Sequence, residues 1–196
     1  MKMLKIVCIG DSITRGYPYG PEFSWVNLLA LKTGIVVVNR GINGDSTGGM
    51  LSRFARHVIA EKPSHVIITG GVNDLWMGQQ IRNIGHNIDS MIQLSGQNNI
   101  HTVLGLSVPL CRNSEIKFIS SAEEDILANK IDRYNVWLKD YACKQGITLI
   151  DFNSCFYKEP GGRLKNSFFA DNIHPGQSGY SAMALKAIEV INGLIK

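Results

Sequence analysis

Five short runs limit this chain's fold more than any other feature. They are Lys5–Gly10, Val36–Arg40, His65–Gly70, Thr102–Val108 and Thr148–Phe152, each mostly apolar and β-branched. Segments such as "VVV" and "VIIT" do not alternate apolar with polar, as a strand with one wet face would, so they read as strands covered on both faces. Between and after them lie stretches with helical spacing, near 22–33, 47–61, 80–97, 122–145 and 177–194. In the last, Ala182, Leu185, Ile188 and Ile191 are expected on one helical face. Strand–helix alternation of this kind builds a parallel sheet with helices on both sides. The expected fold is therefore α/β: a flavodoxin-like three-layer α/β/α sandwich around a five-stranded parallel sheet. The chain has no repeat, linker or low-complexity segment, and its 196 residues suffice for one full-sized core, so residues 1–196 are expected to form a single domain.

Several function classes drop out. The net charge is +4, and Lys and Arg are scattered apart from small groupings at Arg53/Arg56 and Lys158/Arg163/Lys165. A nucleic-acid binder concentrates its basic residues on one face, so no nucleic-acid partner is expected. No stretch reaches the ~18 apolar residues of a membrane span. The N-terminus, "MKMLKIVCIGD", enters the first motif too soon for a signal h-region and cleavage site, which favours a cytoplasmic protein. Cys8, Cys111, Cys143 and Cys155 show no C-x-x-C spacing and no metal pattern with the histidines, so neither a metal site nor a disulfide is assigned.

In doubly wound sheets the working site lies outside the carboxyl ends of the strands, near the switch in strand order. The positions there are Asp11-Ser12, Gly41–Ser46, Gly71–Asp74, Pro109–Asn113 and Asn153. The tripeptide Gly-Asp-Ser occurs at two of them, Gly10–Ser12 and Gly44–Ser46. Ser12 follows strand one directly and precedes a helix-like segment, so its hydroxyl would sit at the sheet edge beside helix N-terminal N–H groups. Ser12 is thus a candidate nucleophile, with a plain helix N-cap as the alternative. A serine needs a base. His57, His65, His86 and His101 fall in helices or at strand starts, whereas His174 lies in "ADNIHPGQSGY", with Asp171 three residues before it. Asp-x-x-His in a loop can bring carboxylate to imidazole, fixing the tautomer and supporting the imidazolium. Negative charge on a reacting carbonyl would need donors: the Asn73 side-chain amide, the Gly44 backbone N–H and the Ser12 N–H. Asn73 and Asp74 could equally form an Asx turn on their own backbone.

These blocks together resemble the SGNH hydrolase superfamily, the GDSL-type lipases and acylhydrolases. "GDSIT" at Gly10–Thr14, "GINGDST" around Gly44, "GVND" at Gly71–Asp74 and "DNIH" at Asp171–His174 appear in the family's order, and Ile13 replaces the Leu of the family's name. The resemblance implies Ser12 as nucleophile, His174 as base, Asp171 as the acid that orients it, and Ser12 N, Gly44 N and Asn73 as the oxyanion hole. Ser46 would then cap the following helix, with Asp45 and Thr47 helping at the same terminus, and Asp11 would brace the turn around Ser12.

The implied activity is hydrolysis of carboxylic esters or thioesters of short to medium acyl chains, lysophospholipids included, through an acyl-enzyme and without a cofactor. The partner is a small-molecule acyl ester. Trp76, Met77 and Leu110 are candidate substrate contacts, within an overhang formed by the loop after strand three and by Leu110–Ser121; Tyr17, Tyr19 and Phe23 are a second candidate wall. Arg112 reads as a solvated arginine. Two other readings stand beside this one: a carbohydrate O-acetylesterase on the same triad, and a non-catalytic flavodoxin-like binding module. The chain has no P-loop or G-x-G-x-x-G after strand one, which speaks against a nucleotide module. It has no G-x-S-x-G elbow either, which speaks against the α/β-hydrolase fold.

Overall fold

A computed structural model describes residues 4–112, 114–158 and 162–194. Asn113, the end of the loop expected after strand four, lies outside the described residues. In chain order the elements are β1 (Lys5–Gly10), α1 (Ser12–Arg15), α2 (Trp25–Thr33), β2 (Val36–Gly41), α3 (Thr47–Ser52), α4 (Phe54–His57), β3 (His65–Thr69), α5 (Val72–Trp76), α6 (Ile81–Gln97), β4 (His101–Gly105), α7 (Ser121–Gln145), β5 (Thr148–Ile150) and α8 (Gln177–Leu194). The five strands form one sheet in the order β2-β1-β3-β4-β5, with every neighbouring pair parallel. This is the α/β sandwich that the alternating runs predict.

The strand pleat sorts the apolar side chains into two cores. Val7 and Ile9 of β1, Val66 and Ile68 of β3 and Leu104 of β4 pack with Ile84 of α6 and Ile131 of α7 on one face. The intervening Ile6, Cys8, Ile67 and Val103 pack with Trp25 and Leu29 of α2 and Tyr180 and Met183 of α8 on the other. Central strands bury both faces, and for that reason β1 and β3 read as unbroken apolar runs. The "VVV" run differs from that expectation. It belongs to β2, an edge strand, and Val36 stays exposed.

Other boundaries moved for local reasons. The expected helix near 22–33 begins only at Trp25, where Ser24 Oγ accepts the Asn27 N–H, and Pro21–Phe23 is a 3₁₀ turn. The stretch 47–61 divides into α3, α4 and a 3₁₀ turn at Ile59–Glu61. It breaks at Arg53, whose side chain turns inward to Asp45 and the Gly10 carbonyl. β4 stops at Gly105: Leu106 N still bonds Ile150 O, but Ser107 N is taken by the Asn135 side chain. The buried face of α8 is Tyr180, Met183, Ala184, Ala187 and Ile191, and Leu185, expected inside, is exposed. The sheet presents α8 to a neighbour, α2, and that packing rotates the helix away from its plain apolar count.

The order 2-1-3-4-5 reverses direction at β1/β3, and ligands in such sheets bind outside the carboxyl ends at that switch. The loops after β1, β2 and β3 converge there.

Candidate active site

Gly10 ends β1 because nothing larger fits: a Cβ there would lie 2.1 Å from Thr14 Oγ1 and 2.7 Å from the Thr69 carbonyl oxygen. Asp11 then caps α1, its Oδ1 accepting the Ile13 N–H at 3.0 Å. Ser12 is therefore not the N-cap, and its hydroxyl is not spent on the helix. It lies 3.2 Å from His174 Nε2. Asp11 is itself buried, and that burial pushes its carboxyl up to about 6 despite the Ile13 N–H bond and the nearby His174.

His174 comes from the turn before α8, and Asp171 organises that turn. Asp171 Oδ1 accepts the N–H groups of Ile173 at 2.7 Å and His174 at 2.6 Å, and Oδ2 lies 2.8 Å from His174 Nδ1. Burial alone would raise the Asp171 carboxyl, but the hydrogen bonds from His174 and from the two backbone N–H groups hold it below the usual carboxylate range. An ionised carboxylate only accepts, so His174 Nδ1 must carry the proton. In neutral imidazole that leaves the Nε2 lone pair facing the Ser12 hydroxyl. The ring is itself sandwiched, with Tyr17 4.5 Å away in a tilted stack and Phe118 4.8 Å away edge-on.

The loop after β2 reaches the same place. Gly44 has φ +73°, a left-handed backbone suited to glycine, and an added Cβ would meet nothing within 4 Å. Ser46 Oγ accepts the Gly49 N–H and caps α3. Asp45 and Thr47 do not share that task as expected. Asp45 pairs with Arg53 at 2.7 Å, and Arg53 also donates to the Gly10 carbonyl, tying the loop after β2 to the end of β1. Thr47 donates through N and Oγ1 to the two oxygens of Asp74.

Asn73 and Asp74 lie in the first turn of α5, not in a free loop, and neither bonds its own backbone as an Asx turn would. Asn73 Nδ2 donates to the Asp45 carbonyl at 2.9 Å, which leaves its second N–H for another acceptor. Gly71, with φ +111°, sits so close to Tyr134 that a Cβ would come within 2.9 Å of the ring.

Ser12, Asn73 and His174 line one small cavity of about 20 Å³, closed on its apolar side by Val72, Trp76 and Phe118. Of the expected substrate contacts, Trp76 is there. Met77 is exposed and outside that lining. Leu110 is corrected: its side chain is buried against the Leu127 and Ile131 face of α7 and borders a separate groove of about 330 Å³. The chain after β4 turns its apolar residues down onto the helix, so position in sequence did not reveal which way Leu110 points. Two residues at the site escape the sequence reading. Phe118 falls inside the overhang that it marks but is not singled out, and Asn172, between Asp171 and His174, carries no signal of its own. A wider cleft, about 540 Å³ beside His65 and His101, is at the amino ends of β3 and β4, away from Ser12. Among the described residues, no group of three or more His, Cys, Asp or Glu is placed to hold a metal ion, and no helix is long and apolar enough to cross a membrane.

Known proteins resemble this chain in sequence and in fold. An acetylxylan esterase of Geobacillus stearothermophilus is 26% identical over 200 residues, spanning 92% of this chain and 90% of that one. The crystal structure of a member of the lipolytic protein G-D-S-L family from Veillonella parvula superposes with a TM-score of 0.79 at 27% identity, covering 96% of this chain and 98% of that one. That of the lipase/acylhydrolase from Enterococcus faecalis gives a TM-score of 0.81 at 25% identity, covering 98% and 97%. Residues 8–182 match the GDSL-like Lipase/Acylhydrolase family, and the chain belongs to that family, a carboxylester hydrolase of the GDSL type.

Proposed function

We propose that Ser12, His174 and Asp171 are the catalytic triad of a serine esterase acting on short acyl esters, acetyl esters first among them. The observation that carries the reading is the continuous chain from Ser12 Oγ through His174 Nε2 and Nδ1 to Asp171 Oδ2, at 3.2 and 2.8 Å. His174 takes the Ser12 proton as Oγ attacks the acyl carbonyl, and the negative charge moves to the carbonyl oxygen. Ser12 N, Gly44 N and the second N–H of Asn73 hold that oxygen. The tetrahedral species collapses, the alcohol leaves with the proton from His174, and the acyl group remains on Ser12. Water, deprotonated by His174, then releases the carboxylic acid by the same route. The steps balance with no metal or organic cofactor.

Preference for acetyl follows from space. The cavity between the nucleophile and Asn73 is about 20 Å³, room for one water-sized or methyl-sized group. The likeness to an acetylxylan esterase supports a sugar acetate as one form of such a substrate. A cytoplasmic place of action goes with this reading, because Cys8, Cys143 and Cys155 are free thiols, as a reducing compartment keeps them.

The test is hydrolysis of p-nitrophenyl esters from acetate to laurate, with a fluorophosphonate label located by mass spectrometry. The label on Ser12 and the highest kcat/KM on acetate are expected. A label on another residue would sink the triad, and a maximum at octanoate or beyond would sink the short-acyl reading.

A further inference from the structure

Phe118 is a large aromatic side chain held over the site and yet 46% exposed. Its ring meets His174 edge-on at 4.8 Å, Tyr17 at 6.1 Å and Trp76 at 6.1 Å, so it bridges the walls on either side of Ser12. It rides on the strap 114–120, which has no regular structure and is anchored at Phe118 and Ile119 by a buried side chain. That side chain is Asn172, fully buried in the turn that carries Asp171 and His174. Its Oδ1 accepts the N–H groups of Phe118 at 2.6 Å and Ile119 at 3.2 Å. Its Nδ2 donates to the Ile119 carbonyl at 2.9 Å and to Glu124 Oε1 at 2.7 Å. All four hydrogen-bonding positions of the amide are used. Glu124, buried at the start of α7, is neutralised by Lys117 Nζ at 2.8 and 2.9 Å, and Lys117 also donates to the Arg112 carbonyl. The Asn172 carbonyl in turn accepts the Cys111 N–H. The turn that presents the base therefore grips the chain twice, at Cys111 before the strap and at Phe118 and Ile119 within it.

We infer that Phe118 sets the upper limit on acyl length at this site, and that Asn172 acts as the positioning residue that holds Phe118 there. The inference rests on the triad reading, because the cavity that Phe118 closes is an acyl slot only if Ser12 is the nucleophile. With the ring in place the slot takes an acetyl methyl. Without the ring it opens toward solvent along the Trp76 side, and a longer chain can lie where Phe118 stood. Specificity is then fixed by a residue far along the chain from the nucleophile, through a polar clasp and not through the pocket floor.

The experiment compares kcat/KM for p-nitrophenyl hexanoate and acetate in the wild type, Phe118→Ala and Phe118→Leu, each repeated in a Ser12→Ala background. In Phe118→Ala the hexanoate-to-acetate ratio is expected to rise at least about tenfold, since a few methylenes in an apolar pocket are worth that much or more, with Phe118→Leu in between. An unchanged ratio in both variants overturns the inference. So does loss of all turnover in both variants while they remain folded, because Phe118 would then serve only to support His174. Turnover that survives Ser12→Ala would instead overturn the triad reading. The anchor is tested by Asn172→Asp, which sets a second carboxylate against Glu124, and by Asn172→Asp/Glu124→Gln, which restores a donor–acceptor pair. The first is expected to raise the ratio as Phe118→Ala does, and the second to return it toward wild type. A wild-type ratio in Asn172→Asp, or no return in the double variant, removes Asn172 from the proposal.

Discussion

The two Gly-Asp-Ser tripeptides are identical in sequence and opposite in use. At Gly10–Ser12 the aspartate caps the helix and frees the serine to face His174. At Gly44–Ser46 the serine caps the helix, and the aspartate pairs with Arg53. The roles exchange because the helices begin one residue apart relative to the motif: α1 starts at the serine, α3 at the residue after it. A one-residue displacement of a helix start decides which of two good caps is used, and so which side chain is left for chemistry.

The largest expected effect falls on the serines. On the triad reading, Ser12→Ala should lower kcat by roughly a millionfold, as loss of a triad nucleophile does. Ser46→Ala should leave kcat within a few-fold of wild type. A steady-state assay of both variants on p-nitrophenyl acetate checks this, and a reversed result would exchange the two assignments. The aspartates come next. Asp45→Ala leaves Arg53 nearly buried without its partner, which should cost about 3–5 kcal/mol of stability by urea denaturation.

Asp11 should behave in the opposite sense. Its folded value of about 6 lies above the unfolded aspartate's, so the native state binds more protons between about pH 4 and 6, and stability falls as pH rises through that range. Asp11→Asn keeps the cap and removes this loss. It should therefore be more stable than wild type at pH 7, by roughly 1.4 kcal/mol for every pH unit that separates the folded from the unfolded value, with the difference gone below about pH 4. Denaturation midpoints at pH 4 and pH 7 check it; equal differences at both would show that burial does not penalise this carboxylate. The smallest effect is the Ser46 cap, whose loss in Ser46→Ala should cost about 1 kcal/mol.

Local pattern was enough to read the layers of the fold and, within a residue, where β1, β2 and β3 end, but not where β4 and β5 end. Unbroken apolar runs of this length fit strands covered on both faces, so β1 and β3 were legible, and with them the edge at which Ser12 had to lie. Asp171 and His174 were legible because the interaction between them is local: three residues of turn bring carboxylate to ring. Whatever depends on direction, or on partners distant in the chain, was settled only by folding. Leu110 and Phe118 lie in the same overhang, yet one packs onto α7 and the other over His174. The clasp from Asn172 fixes the strap's course, and no local spacing records it. Asn73 illustrates the same limit, since its amide is oriented by the carbonyl of Asp45, 28 residues away. Periodicity reports which face a residue takes within its own element. Where elements meet, packing and long-range hydrogen bonds choose the orientation, and those belong to the folded chain alone.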